Sequence, residues 1–135
     1  MLMREIKFRG RDMSGHWVYG LLTKKKIRNS NKLQYAIATE DCSMGNTIPI
    51  IENTVGEFTG FKDIDGKEIF EGDIIQNDEH PEEIGKIINE KGCWLVDFFD
   101  GYDDTPCLCW VLDNTPQKVI GNIFDNPELL ERRQN

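Results

Sequence analysis

The sequence predicts a mostly β protein, in which short antiparallel strands form a small barrel or sandwich. Apolar and polar residues alternate over many short segments, and turn residues separate these segments, as is typical of half-buried strands. No long segment places apolar residues at helical spacing, so helices are expected to contribute little. The 135 residues match the usual size of one domain and contain no linker or repeat, so a single domain over residues 1–135 is expected.

The first predicted element is a β-hairpin near the N-terminus. Residues 6–9 alternate apolar and basic side chains, residues 12–15 supply turn residues, and residues 16–22 resume the extended pattern. His16 is therefore expected at a half-exposed strand position and not in a catalytic site.

A polar, basic segment follows this hairpin and contains five cations: Lys24, Lys25, Lys26, Arg28 and Lys32. We predict that it forms an exposed hairpin loop that leads into another strand at residues 33–38. Residues 39–53, which include Pro49, predict an irregular connection, although residues 48–51 could form a brief strand around the proline.

Residues 54–75 (TVGEFTGFKDIDGKEIFEGDII) constrain the backbone most strongly. Asp65-Gly66 lies between two possible strands and suits the positive φ angles of a tight hairpin turn. In residues 68–73 neither face of an extended chain is purely apolar, so an interruption of the strand is expected. Gly72 is the expected point because glycine allows a bulge or a close backbone contact, and a buried strand can then begin at Ile74.

The remainder of the chain predicts more short strands and one short helix. Residues 84–88 and 93–99 flank a turn at residues 89–92, further turns lie at residues 77–83, 100–106 and 113–116, and two more strands occupy residues 107–112 and 118–124. Close to the C-terminus, Asn126 can cap a short helix whose first turn contains Pro127 and Glu128.

Charge is distributed unevenly along the chain, whose net charge is −8. Residues 1–40 contain nine Lys or Arg and three acidic residues, a net +6, whereas residues 41–135 contain seven and twenty-one, a net −14. One interpretation is that a basic N-terminal hairpin packs beside acidic strands, within one chain or between subunits. The other interpretation is a local contact with nucleic acid.

Composition indicates a globular protein of the cytoplasm. Charged residues make up 30% and hydrophobic residues 39% of the chain, which argues against disorder. No apolar run resembles a secretory signal or a membrane span, so a cytoplasmic location is expected. Disulfides seldom persist in the cytosol, and we therefore expect reduced, structural cysteines at Cys42, Cys93, Cys107 and Cys109.

Four segments in a fixed order closely resemble the YopX-like family of bacteriophages and prophages. They are residues 4–10 (REIKFRG), 17–20 (WVYG), 54–75 and 119–130 (VIGNIFDNPELL), and they bracket almost the whole chain. The resemblance implies an SH3-like β pseudo-barrel encoded by a phage and acting in the bacterial host cell. It supplies no catalytic residues and no particular molecular role. Arg11 departs from the family pattern, in which tryptophan is common, so an aromatic surface at that hairpin is not expected.

Two thiols raise the possibility of a zinc site. On a strand, Cys107 and Cys109 would point to one face, and Cys93 or a histidine could complete a set of ligands. Structural zinc sites generally use ligand pairs two to four residues apart, so packed cysteines are the favoured interpretation.

A calcium loop fits the sequence poorly as well. The segment Asp63-x-Asp65-Gly66 matches part of such a loop, but that alignment places Phe61 at the first ligand position and Gly72 at the twelfth, where a carboxylate is needed. We therefore predict neither a metal site nor a cofactor.

Three functions are consistent with these features of the sequence. The favoured one is a non-enzymatic accessory protein that self-associates or binds a protein partner. The alternative is a nucleic-acid-binding protein that uses the basic loop from Lys24 to Lys32, with Tyr35 and Trp17 as possible neighbours. The third is an enzyme that uses scattered carboxylates; it would need acidic residues that converge in a pocket: Asp63, Asp73 and Asp97.

Overall fold

The computed structural model describes residues 5–40, 47–98 and 105–131, and these residues form a mostly β protein. Cys42 and most of the predicted turn at residues 100–106 lie outside the described residues. The predicted mostly β class, its antiparallel strand pairing and the short C-terminal helix are confirmed. The described strands form two antiparallel sheets and no closed barrel.

Ten strands, two α-helices and one 3-10 turn make up the described secondary structure. The strands are β1 (Phe8–Arg11), β2 (Trp17–Lys26), β3 (Leu33–Ala38), β4 (Ile48–Pro49), β5 (Gly56–Lys62), β6 (Glu68–Phe70), β7 (Asp73–Asn77), β8 (Ile84–Glu90), β9 (Cys93–Asp97) and β10 (Gln117–Asn122). The helices are α1 (Leu108–Asn114) and α2 (Glu128–Glu131), and the 3-10 turn is Glu52–Thr54.

The chain divides into two compact units, Met1–Phe58 and Thr59–Asn135, and β5 begins in the first and ends in the second. In the first unit the strand order is β4-β3-β2-β1, and the start of β5 pairs with β1. Its core contains Val18, Ile37 and Ile50. The predicted N-terminal hairpin corresponds to β1 and β2, and the brief strand considered near Pro49 is β4.

The second unit is built on an antiparallel sheet with the order β10-β7-β8-β9. Its buried core residues come from strands β6 to β9 and from α1: Ile69, Ile75, Ile87, Val96, Leu108 and Val111. The predicted hairpin at residues 84–99 corresponds to β8 and β9. A single domain over residues 1–135 stays a prediction.

The glycine positions in residues 54–75 agree with the sequence analysis. Gly66 has a φ of 82° in the turn between β5 and β6, and Gly72 has a φ of 89° between β6 and β7. The Gly72 N–H donates to the Ile87 carbonyl, and its own carbonyl accepts the Ile123 N–H, so the interruption brings other backbone segments close. The strand β7 then begins at Asp73, one residue before the predicted start, and Asp73, Ile74 and Ile75 are all buried.

Two local predictions are wrong. Residues 107–112 are not a strand, since α1 begins at Leu108. Leu108 and Val111 are three positions apart, so the helix places both on one face, which is buried. The basic segment is not all loop either, since β2 continues through Lys26 and only residues 27–32 connect it to β3. In the described part of the chain, no helix is long and apolar enough to span a membrane.

Candidate functional site

The sequence-predicted basic residues gather at the far end of the β2–β3 hairpin, which we call the basic hairpin (residues 24–35). Its strands pair in register, with Lys24 opposite Tyr35 and Lys26 opposite Leu33. The connection is tight, because the Ile27 N–H donates to the Lys32 carbonyl and the Ser30 N–H donates to the Ile27 carbonyl. Asn29 adopts a φ of 64°, a conformation that asparagine tolerates better than most residues.

The basic hairpin carries a concentrated positive charge. All five predicted cations are exposed: Lys24, Lys25, Lys26, Arg28 and Lys32. The sequence contains no acidic residue between Asp12 and Glu40, and none of the five cations forms an ion pair with a described residue. The hairpin therefore has no local counter-charge within the described chain.

One face of the basic hairpin combines cations with an aromatic ring. Residues opposite each other in an antiparallel pair share a face, so Lys24, Tyr35, Lys26 and Leu33 lie on the same side. The Lys24 Nζ is 5.0 Å from the centre of the Tyr35 ring, within cation–π distance. The predicted proximity of Tyr35 is confirmed.

Trp17, the other aromatic residue considered near the basic loop, has different neighbours. The guanidinium carbons of Arg9 and Arg11 lie 4.8 Å and 5.1 Å from the centre of its ring. Arg11, the residue at which the family pattern is broken, thus packs against Trp17. Residues 9 and 11 lie on one face of β1, and the antiparallel register pairs Arg11 with Trp17 of β2. The linear sequence does not reveal this pairing.

Apolar side chains extend the exposed surface of this hairpin. Leu33 is 58% exposed and Ile27 is 41% exposed. Leu21, which lies nearer the start of β2, is 59% exposed. A surface that mixes apolar and basic residues suits a protein partner, which can remove apolar area from water as well as supply negative charge. A shallow, open depression at the tip is lined by residues 26–31 and contains no enclosed cavity for a small molecule.

The described cysteines are exposed, so the prediction of packed cysteines is wrong for Cys93, Cys107 and Cys109. They are free thiols, as expected for reduced cysteines. Leu108, the first residue of α1, is buried, whereas the thiols on either side of it lie at the surface. Within residues 5–40, 47–98 and 105–131, no three His, Cys, Asp or Glu side chains cluster to form a metal site.

The carboxylates considered for catalysis are used locally in the structure. Asp63 Oδ1 accepts the backbone N–H groups of Asp65 and Lys67, and its Oδ2 accepts that of Val119. Asp73 Oδ2 accepts the Phe70 N–H at 2.7 Å. Both side chains therefore hold turns, and the described residues contain no acidic cluster that joins them with Asp97.

The two histidines lie at exposed positions. His16 precedes β2 and is not half-exposed within a strand, so that prediction is wrong. Its backbone N–H donates to Asp12, and this hydrogen bond lowers the pKa of the Asp12 carboxyl below its ordinary value. His80 lies in the predicted loop, with its Nδ1 3.4 Å from a Glu82 carboxylate oxygen.

Comparisons with known proteins give a consistent result. A family model described as YopX protein matches residues 7–131. Protein EF1440 from Enterococcus faecalis has a similar solved structure, with 30% sequence identity, coverage of 95% of this chain and 99% of that chain, and a TM-score of 0.61. Protein YopX from Bacillus subtilis is 19% identical, with coverage of 92% and 95% and a TM-score of 0.54. No curated protein matches the chain.

Proposed function

The chain belongs to the YopX protein family, and from that premise we propose that it is a non-enzymatic, self-associating module. In this proposal the basic hairpin of one copy docks on an acidic surface of another copy. The observation that supports it is a hairpin with five exposed cations and no ion pair to the described part of its own chain. We further propose that the protein is a phage- or prophage-encoded accessory protein that acts in the cytoplasm of a bacterial host cell.

The composition of the two units supplies both sides of such a contact. Residues 1–58 contain nine Lys or Arg and six acidic residues, a net +3, whereas residues 59–135 contain seven and eighteen, a net −11. Complementary potentials of this kind speed the encounter of two surfaces and fix their register. Because the two surfaces differ, the contact would be heterologous and would generate a ring or an open chain of subunits.

Apolar contact is expected to add to this electrostatic attraction. Leu33 and Ile27 flank the cations and are 58% and 41% exposed. Burial of apolar area contributes about 25 cal/mol per Å², and it is insensitive to the screening that weakens exposed ion pairs. Charge would therefore guide the encounter, and these two side chains would prolong the contact.

Light scattering across a salt series tests the proposal. At about 0.01 M salt, where the Debye length is about 30 Å, the mass should exceed that of one chain, and it should fall toward one chain at about 1 M, where the length is ~3 Å. A monomer at every salt concentration would remove self-association as the function.

Matched variants assign the effect to the hairpin. Each variant replaces three exposed lysines with glutamine: Lys24, Lys25 and Lys26 in the test variant, and Lys62, Lys67 and Lys91 in its control. The test variant should be monomeric at low salt because the basic surface is weakened. The control has the same net charge but makes residues 59–135 more acidic, so its association should be unchanged or tighter. Equal losses in both variants would show that net charge, and not the hairpin, governs association.

Nucleic-acid binding is a second candidate because of one observation, the position of Lys24 over Tyr35 on the face that also carries Lys26. Single-stranded nucleic acids bind to surfaces on which bases stack on aromatic rings beside phosphate-binding cations. The net charge of −8 opposes this function at long range.

A gel-shift experiment with single-stranded DNA separates the two candidates. If nucleic acid is the partner, replacement of Lys24, Lys25 and Lys26 by alanine should abolish the shift, and Tyr35→Leu should weaken it severalfold. Self-association should depend on the lysines but tolerate Tyr35→Leu, which retains apolar bulk. No shift with the wild-type chain, or a shift that the lysine variant retains, would eliminate the hairpin as a nucleic-acid site.

The carboxylate-dependent enzyme is not proposed. Asp63 and Asp73, the buried acids that this function would need, accept backbone hydrogen bonds in turns.

A further inference from the structure

Two thiols lie in contact at the beginning of α1. Cys107 is the last extended residue before the helix, where its backbone bridges to Leu95 of β9, and Cys109 lies in the first helical turn. Their Sγ atoms are 2.9 Å apart, and both residues are exposed. This pair has no part in the proposed function.

The anchoring of the intervening residue holds the two sulfurs together. Leu108 is fully buried in the core of the second unit, and the backbone of Cys107 is tied to β9 through the Leu95 bridge. The Val111 N–H also donates to the Cys107 carbonyl, which fixes the start of the helix. The sulfur separation is only about 0.9 Å longer than the ~2.05 Å of a disulfide bond.

We propose that Cys107 and Cys109 form a dithiol site that closes to an intramolecular disulfide by exchange with a low-molecular-weight disulfide. The substrate class is a small symmetric disulfide of the glutathione type, and the products are two molecules of the small thiol.

The exchange proceeds in two steps. The Cys107 thiolate attacks one sulfur of the small disulfide, a new S–S bond forms on Cys107, and the other half leaves as a thiolate that takes up a proton. Cys109 then loses its proton and attacks the Cys107 sulfur, which expels the second small thiol. The protein dithiol is oxidised by two electrons, and the small disulfide is reduced by two electrons.

The hydrogen bonding of the pair supports this order of attack. The pKa of Cys107 is lowered, first by the hydrogen bond between its thiol and that of Cys109, and then by the backbone N–H groups of Cys109 and Trp110. The pKa of Cys109 is raised, first by its hydrogen bond to Cys107. Because the thiolate is the attacking species, Cys107 is the first nucleophile and Cys109 the resolving thiol.

Cys93 provides a control within the same protein. It is also exposed and free, but it lies at the start of β9, and no contact among the described residues joins it to a second thiol. A lone thiol can form a mixed disulfide but has no neighbour that resolves it. The two kinds of site should therefore give products of different mass.

The test measures intact mass after incubation with glutathione disulfide and quenching with acid. In a Cys42→Ser, Cys93→Ser background, the pair should lose two hydrogen atoms and retain no glutathione. Adding Cys109→Ser should leave one glutathione on Cys107. A chain that retains only Cys93 should likewise keep one glutathione. Cys93, Cys107 and Cys109 are exposed, and circular dichroism should show that all variants are folded.

Two results would overturn the proposal. The first is stable attachment of glutathione to both Cys107 and Cys109 without closure of a disulfide. The second is a folded pair that stays reduced under conditions that oxidise the same two thiols in the urea-unfolded chain.

Discussion

The Asp63 side chain ties together two separate backbone segments of the second unit. Its carboxylate accepts two N–H groups from the turn that follows β5 and one from β10, which lies 56 residues further along the chain. The residue is 8% exposed, so water cannot readily replace these bonds. The sequence predicts the Asp-Gly turn but not this long-range hydrogen bond, since nothing in the local pattern points to Val119.

Replacement of Asp63 should destabilise the protein strongly. Asp63→Ala should lower the free energy of unfolding by about 3 kcal/mol, because it removes the acceptor of three backbone N–H groups. Asp63→Asn keeps Oδ1 for Asp65 and Lys67 but turns an N–H donor toward Val119, so its loss should be about half as large. Urea denaturation monitored by tryptophan fluorescence provides the measurement.

Asp65 serves as the matched control for this residue. It belongs to the same turn and carries the same charge, but its side chain is exposed. Asp65→Ala should change the free energy of unfolding by less than about 0.5 kcal/mol. If the two alanine variants lose equal stability, the bonds to the Asp63 carboxylate are not the source of its effect.

The helix α1 shows how tertiary packing overrides a local pattern. Residues 107–112 alternate cysteines with apolar residues and thereby predict a strand, in which Leu108 and Trp110 would share a face. The helix separates them, so that Leu108 is buried and Trp110 is 59% exposed. A segment this short contains too few residues to distinguish periods of 2 and 3.6, and the core that selects the helix comes from distant strands.

This assignment makes a prediction about two neighbouring apolar residues. Leu108→Ala should lower the free energy of unfolding by about 3 kcal/mol through loss of buried area and creation of a cavity. Trp110→Ala removes a larger side chain but should cost less than about 0.5 kcal/mol, because that side chain is mostly in water. Thermal and urea unfolding of both variants measure the difference, and similar losses would favour the strand.

The basic hairpin illustrates a second limit of local reasoning. The sequence predicts a loop at Lys24, Lys25 and Lys26 because the segment is polar and basic. They extend β2 beyond its core-facing part, where both faces are exposed and the register with β3 still provides backbone hydrogen bonds. The predicted exposure of the five cations is confirmed, but only the strand register shows that Lys24 lies over Tyr35.

At the scale of the described chain, the sequence predicted the mostly β class correctly, but it did not predict that the strands form two sheets and no closed barrel. Turn signals at Asp65-Gly66 and Gly72 act locally, and both are confirmed by positive φ angles. Division of the strands into two sheets depends on pairs such as β7 with β10, whose paired residues are 40 to 49 positions apart and leave no local signal. Short segments with similar apolar content do not specify such partners by themselves.

The charge difference between residues 1–58 and residues 59–135 links this architecture to the proposed function. A basic hairpin without a counter-charge in the described chain, and an acidic second unit, are the two halves of one intermolecular contact in this account. Self-association through this contact requires that lysines of one copy approach carboxylates of a different copy.

Carbodiimide cross-linking of mixed copies, one of them labelled with heavy nitrogen, measures that approach directly, because this reagent joins a lysine amine to a carboxylate without a spacer. At low salt, cross-links should join Lys24, Lys25 or Lys26 of one isotopic copy to acidic residues within positions 59–135 of the other, and high salt should abolish them. Cross-links from these lysines that stay within a single isotopic copy, at every salt concentration, would contradict the account.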